Sequence, residues 1–407
     1  MSSPHSTAPS LSRFDFLDPR FTGAQRYEFL NELREEAPSL AVDQFGRVSV
    51  LRYADVRSCF LDHQRFRNVE TGLVASLGCT EGPLFDWQSH ALIVQNPPRH
   101  TAMRQAIRAI NGRLARKLVP VVHDSAHALI DAFPEDGVVD FAKAFAFTLP
   151  VSVVMGLLHL PESDTPLIAE LSPQTHPAGP DAVEISQQVN AHFRAYVEER
   201  IEERRARPLD DDILSDLVVA QDSNMITSDE LWATVQTLIL AGHETTSSAL
   251  AIGLHLLLNN RDQTNALNAD RSLLPNAAEE ILRFDSPVES MTRVLAEEVG
   301  LQGVALSPGT LISLCIASAN RDPREFAAPD VFNIRRSNAR SQLSFGVGIH
   351  RCTGAPLAQM ELPIALGVLF DRLESVEFDA VPSYAPGFFR QFETLRLGVR
   401  LRPRDTS

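Results

Sequence analysis

The sequence predicts a mainly α-helical chain with small β-sheets, an α+β fold in one domain, and three stretches carry that prediction. From about Asp229 to Leu258, apolar residues recur at helical spacing behind a capping box of Thr227 and Glu230. At about 1.5 Å per residue this single helix is roughly 45 Å long, enough to cross a whole domain. Ala182 to Arg207 sets Ile185, Val189, Phe193, Val197 and Ile201 four apart, an apolar helical stripe stopped by Pro208 and the acidic run Asp210-Asp211-Asp212. Val299 to Ala317 changes to strand-like patterning around the turn Ser307-Pro308-Gly309, which supplies the small sheet.

The other elements follow along the chain. Residues 1–10 are mostly small and polar, and the first 12 are read with neither the basic start nor the apolar core of a signal peptide or anchor. They are expected to form a flexible tail ahead of one domain, 13–404, in a cytoplasmic protein. A helix is expected around Tyr27 to Glu36. Arg47-Val48-Ser49-Val50-Leu51-Arg52-Tyr53 then alternates polar and apolar residues after Phe45-Gly46, as a half-buried hairpin strand does. Ala144 to Leu160 is nearly all apolar but carries Thr148, Pro150, Ser152 and His159 and is barely long enough to span a bilayer. It reads as a buried core helix with Pro150 near its first turn. No linker, internal repeat or low-complexity segment interrupts the chain.

Composition narrows the function classes. At 407 residues with 44% hydrophobic and 22% charged side chains, the chain can bury a core large enough to hide a cofactor. A formal charge of −15 disfavours nucleic acid and anionic membranes as partners. Against that background Arg104, Arg108, Arg113, Arg116 and Lys117 cluster in one short helical stretch. Such a patch suits an acidic electron-transfer protein, although a solvated helix face has the same composition. The 4 cysteines, Cys59, Cys79, Cys315 and Cys352, contain no Cys-x-x-Cys pair, which argues against a disulfide framework and a structural zinc site.

Chemistry concentrates in Phe345-Gly346-Val347-Gly348-Ile349-His350-Arg351-Cys352-Thr353-Gly354, a glycine-rich loop that delivers a cysteine just before the helical run starting Ala355-Pro356-Leu357-Ala358. Glycines permit backbone turns closed to other residues and a close approach to a flat cofactor, while N–H groups near a helix start stabilise a thiolate. A second unusual stretch, Ala241-Gly242-His243-Glu244-Thr245-Thr246-Ser247-Ser248, lies inside the long helix. Glycine there costs about 1 kcal/mol relative to alanine, and paired threonines add to it, so a helix selected for stability alone avoids this run.

The cysteine loop resembles the haem-binding signature of the cytochrome P-450 monooxygenases, with every defining position filled, and the likeness to the soluble bacterial members extends from the hairpin near Val48 to Leu397. The resemblance implies haem b held between the long central helix and the helix after the cysteine, with Cys352 as thiolate ligand to iron, where its electron push favours O–O cleavage. Phe345, Gly346 and Gly354 shape the loop. Ala241 and Gly242 lie against the cofactor, Glu244 relays protons, and Thr245 donates a hydrogen bond to bound O2. His100, Arg104, Arg293 and His350 match the positions that hold the haem propionates. Glu280 and Arg283 match the family's Glu-x-x-Arg element, an i,i+3 pair with a structural part in holding the cysteine loop.

The same resemblance places the substrate among Leu73, Phe85 and Trp87, then Thr237, Leu238 and Ala241, then Val288, Glu289, Ser290 and Met291, and finally Phe388 and Phe389. This mainly apolar set favours a small hydrophobic substrate held by shape. Glu289 is the odd member. Facing inward it would favour an amine or a hydroxylated molecule, and facing outward it has no bearing on the substrate. Val69 to Asn96 has no arginine or lysine to hold an acid, although Arg390 could do so from the other side. The implied activity is O2-dependent hydroxylation, O-dealkylation or epoxidation, with electrons from a separate ferredoxin and its reductase. A peroxide-driven enzyme of the same fold and a noncatalytic haem-binding sensor are the alternatives. The intact Glu244-Thr245 pair argues against both.

Overall fold

The computed structural model describes residues 11–14, 25–72, 74–108, 112–175, 181–210, 212–385 and 389–402. They form two compact units. The smaller comprises Met1–Val69, Val288–Val331 and Ser341–Cys352, and the larger comprises Glu70–Pro287, Phe332–Arg340 and Thr353–Ser407. Of the expected N-terminal tail, residues 1–10 lie outside the described residues, while Ser12 pairs with Ala41 in a short parallel ladder.

The smaller unit is built on a mixed sheet whose strands run in the spatial order Ser12–Arg13, Leu40–Val42, Val48–Val50, Leu311–Cys315, Ser290–Leu295 and Phe66–Arg67. The expected hairpin is there, with Gly46 at φ +75° in its turn, but Val48–Val50 is buried throughout and not half-exposed. The strand is central and has a core on each face. Val48 and Val50 pack with Leu40, Ile312 and Leu314, while Ala41 and Leu51 pack with Phe29, Leu30 and Leu33 of the helix Arg26–Glu35. The strand also stops short of Tyr53, whose N–H donates to Asp322 Oδ2 at 2.9 Å and so starts the helix Tyr53–Leu61. A cap brought from almost the other end of this unit's sequence leaves no local trace. The expected turn at Ser307-Pro308-Gly309 forms, with Gly309 at φ +82° between Val304–Leu306 and Leu311–Cys315.

The larger unit is organised around the long helix, Ser228–Asn259, and its capping box is complete: Thr227 Oγ1 accepts from Glu230 N at 3.1 Å, and Glu230 Oε2 accepts from Thr227 N at 2.7 Å. Ala142–Phe147 forms a π-helical turn that continues into the helix Thr148–Leu157, where Pro150 occupies the first turn as expected and Leu149, Val153 and Val154 are buried. In the helix Ala182–Ala206, Val189, Phe193, Val197 and Ile201 are buried, but Ile185 is 37% exposed. Strict four-residue spacing turns about 40° per step around an α-helix, so the stripe leaves the core by its first member. Ser186 and Asn190 face inward there and bond to the carbonyls of Thr175 and Ser186. The helix Ala355–Arg372 begins right after the cysteine loop. Among the described residues no helix is long and apolar enough to cross a membrane.

Candidate active site

The smaller unit contributes the cysteine loop. Gly346 and Gly348 adopt φ +61° and +78°, conformations that other residues rarely take, and a Cβ on Gly348 would lie 3.2 Å from the Phe60 carbonyl. The loop therefore folds tightly against the helix Tyr53–Leu61. Cys352 N donates to Phe345 O at 2.8 Å, which closes the loop and leaves Cys352 exposed. The other three cysteines are buried, and burial pushes the Cys59 and Cys315 thiols up to about 12 and about 11. Those two are inert core thiols, whereas Cys352 is set for ligation.

Arg293, on the strand Ser290–Leu295, is 3% exposed. Its guanidinium lies 5.4 Å from the Phe60 ring and donates to Thr292 O, but it meets no carboxylate among the described residues. Burial lowers it to about 10, still well above neutrality, so a buried cation waits for an anion. His350 Nδ1 lies 3.4 Å from Asn68 Nδ2 in the same unit.

The larger unit contributes the long helix. From Glu230 to Leu254 every residue is buried except Thr237, Leu238, Ala241, Gly242 and Thr245. Those five share one face at helical spacing, so an otherwise enclosed helix opens along a narrow stripe of small and apolar residues. Thr245 Oγ1 donates to Ala241 O at 3.1 Å, and Thr246 and Ser248 bond back in the same way. Gly242 has a packing reason as well as any functional one: a Cβ there would come within 2.7 Å of Val154 Cγ2 on the helix Thr148–Leu157.

Beside the stripe, Glu244 is 9% exposed and its carboxyl bonds to no described residue. Burial alone pushes it up to about 8, so it holds a proton at neutral pH. His243 is fully buried, with Nδ1 2.6 Å from Ile239 O and the ring edge-on to Phe147; burial lowers it to about 4, which makes it a neutral core residue.

His100 and Arg104 occupy successive turns of the helix Arg99–Ala106, His100 buried and Arg104 hydrogen-bonded to Thr353 Oγ1. The basic stretch is not one helix. Arg104 belongs to Arg99–Ala106, Arg116 and Lys117 belong to Gly112–Lys117, and both of the latter are exposed, as is Arg108. The Arg113 side chain lies outside the described residues.

Each unit has features that suit haem: in the smaller, an exposed thiol on a tight loop and a buried guanidinium that meets no carboxylate among the described residues, and in the larger, an open stripe of small residues on a buried helix. The family model for Cytochrome P450 matches residues 151–384. The chain belongs to the cytochrome P450 family. It is 33% identical over 362 residues to 6-deoxyerythronolide B hydroxylase of Saccharopolyspora erythraea, covering 86% of this chain and 89% of that one. It is 35% identical to a vitamin D(3) 25-hydroxylase of Pseudonocardia autotrophica over 84% of this chain and 85% of the relative. The solved structure of cytochrome P450 CYP109Q5 from Chondromyces apiculatus superposes with a TM-score of 0.85 at 29% identity, covering 97% of this chain and 100% of that one. This P450 is thus a monooxygenase that binds haem b through a cysteine thiolate, with Cys352 in the ligand position.

Other site expectations for this P450 divide sharply. Glu280 and Arg283 are not a solvated surface pair: Arg283 Nε and Nη2 grip the two Glu280 oxygens at 2.7 and 2.9 Å with both side chains fully buried. Arg336 Nε adds a second cation at 3.1 Å and Asn333 N donates at 3.0 Å, so the pair anchors the 332–340 segment. Trp87 is buried and donates from Nε1 to Thr237 Oγ1 at 3.0 Å, while Phe85 and Phe389 are half-buried. Leu73 and Phe388 lie outside the described residues. Val288 and Met291 pack on the sheet core of the smaller unit, and Glu289 pairs with buried Arg26 at 2.5 Å. Arg390, offered as a cation for an acid, sits 3.5 Å from Asp285 with its guanidinium 3.4 Å from the Tyr384 ring centroid. Arg336 and Arg26 carried no local signal. Neither did Glu361, a glutamate in the helix Ala355–Arg372 that is 1% exposed and pushed up to about 8 by burial.

Proposed function

We propose that this P450, with 13–404 acting as one catalytic domain, hydroxylates, O-dealkylates or epoxidises a small, mainly hydrophobic substrate. Electrons come from a ferredoxin-type donor that docks near Arg104, Arg108, Arg113, Arg116 and Lys117. The observation that carries the reading is the open stripe Thr237 to Thr245 on a buried helix, with a protonated Glu244 directly beside it. When bound, haem supplies the centre at which O2 takes up two electrons, one oxygen atom entering the substrate and the other leaving as water.

The chain's own residues do the rest. Arg293, His350, His100 and Arg104 are the residues that would hold the propionates, through charge-assisted hydrogen bonds. Two protons must be delivered per turnover, and Glu244 stores one within the helix while excluding bulk water. Thr245 has a hydroxyl whose bond to Ala241 O is exchangeable for one to a reactant on the stripe. Leu238, Ala241, Phe85 and Phe389 supply apolar area, which holds a hydrophobic molecule by exclusion of water. The acid-alcohol pair favours O2 as oxidant over peroxide, which brings its own protons.

The test pairs two measurements. The reduced protein with carbon monoxide should show a strongly red-shifted Soret band that Cys352→Ala loses. Thr245→Ala should keep that band but yield much less product per electron consumed; an unchanged yield would remove Thr245 from the proton path.

A further inference from the structure

The hydroxyls of the long helix differ in the fate of their hydrogens, and those of Thr234 and Ser247 are buried with no hydrogen-bond partner among the described residues. Thr245, Thr246 and Ser248 each donate to the carbonyl four residues earlier. Thr237 does not. Its Oγ1 accepts from Trp87 Nε1 at 3.0 Å, and since the indole nitrogen is only a donor, the threonine oxygen is the acceptor in that bond. The Thr237 hydrogen is then left over, with no acceptor among the described residues. Thr237 lies on the open stripe, with apolar Leu238 and Ala241 as its neighbours there. Trp87 is 6% exposed, and its helix Pro83–His90 is itself pinned: Gln187 Oε1 accepts from Leu84 N at 2.9 Å, and Arg194 meets Asp86 at 3.5 Å. The indole thus fixes the hydroxyl from a rigid position.

The charges once considered for the substrate are spent elsewhere, Glu289 on Arg26 and Arg390 on Asp285. From these observations we infer that Thr237, oriented by Trp87, is a specificity-determining donor, and that the substrate is an uncharged hydrophobic molecule bearing a hydrogen-bond acceptor such as a ketone, lactone or ether oxygen. Thr237 lies eight residues before Thr245, about 12 Å along the helix axis at 1.5 Å per residue. An acceptor bound there therefore selects which distant carbon of the substrate is presented for oxidation. The inference rests on the monooxygenase reading of this site and adds the substrate's polar handle to it.

Calorimetric titration of the haem-loaded protein tests it with two neutral probes, 12-dodecanolide, which carries a lactone acceptor, and tert-butylbenzene, which has none. Thr237→Val should weaken dodecanolide binding about threefold to tenfold, the worth of one net neutral hydrogen bond, and change tert-butylbenzene binding by less than about twofold. Thr237→Ser should behave as wild type. Trp87→Phe, an independent variant, should also weaken dodecanolide selectively, because the freed hydroxyl turns back to its own helix. Equal losses for both probes in Thr237→Val, or unchanged dodecanolide binding, would overturn the donor role. So would a wild-type protein that binds neither probe. The carbon monoxide spectrum judges the haem-thiolate reading separately, so the two failures cannot be confused.

Discussion

Two regions of the larger unit each bury a glutamate on a helix, and they treat it in opposite ways. Glu280 is fully buried and saturated: Arg283 grips both oxygens, Arg336 approaches from another segment and Asn333 donates a backbone N–H. Glu244 is nearly as buried, with no cation and no donor to its carboxyl among the described residues. In the first region two guanidiniums and a backbone N–H stand where water would otherwise solvate the carboxylate. The second sheds its charge by keeping a proton. A buried ion cluster that is completely met ties segments together, whereas a buried acid left unmet becomes a proton reservoir, and the reservoir lies beside the stripe where the chemistry is proposed.

The contrast breaks if the two glutamates respond alike to the same substitution. Glu280→Gln should cost about 3–5 kcal/mol in urea unfolding, because it strands Arg283 and Arg336 without their anion. A loss under about 1 kcal/mol would mean that the cluster is not the anchor described. Glu244→Gln should leave the fold at least as stable and instead slow turnover by about a hundredfold, near 2.7 kcal/mol in barrier. Wild-type turnover should also fall as pH rises through about 8, where Glu244 loses its proton, and the variant should lack that limb.

Stability gives the same contrast with its own sign. The folded-state carboxyl of Glu244 is raised from 4.5 to about 8, so its contribution is fully present below 4.5 and is lost as pH rises through about 8. Glu361 shifts in the same direction, so the comparison must be the difference between Glu244→Gln and wild type, which should grow in the variant's favour across that window. The smallest effect concerns the helix and not its acid. Gly242→Ala should cost about 1–3 kcal/mol through its clash with Val154, and Val154→Ala in the same chain should recover part of it. No recovery in the double variant would shift the reason for Gly242 from packing to function.

Several features were legible in the linear chain because their causes are local. The capping box Thr227 with Glu230 needs only a hydroxyl and a carboxylate three residues apart, and it starts the long helix as read. The cysteine loop needs glycines at left-handed φ and a cysteine just ahead of a helix, and Gly346, Gly348 and Ala355–Arg372 supply both. The mid-helix run around Glu244 and Thr245 was visible as a stretch too poor in helix formers to be there for stability. In each case the residue types and their spacing already contain the geometry.

Other features became definite only in three dimensions, because they depend on what long-range packing brings alongside. An i,i+3 pair such as Glu280 and Arg283 looks the same whether it faces water or a core, and Arg336, distant in sequence, decides that it is core. Ile185 and Ile201 look like one stripe until helix rotation separates them. Glu289 looks free until Arg26 meets it, and Thr237 is one more threonine until Trp87 takes its lone pair and leaves its hydrogen to point elsewhere. The sequence by itself determined the family, the thiolate and the helix that carries the chemistry, since short-range backbone and side-chain rules encode them. Tertiary structure decided which buried charges are met and which hydroxyls are left without an acceptor, because desolvation and hydrogen-bond satisfaction belong to the assembled surroundings of a group and not to the group itself.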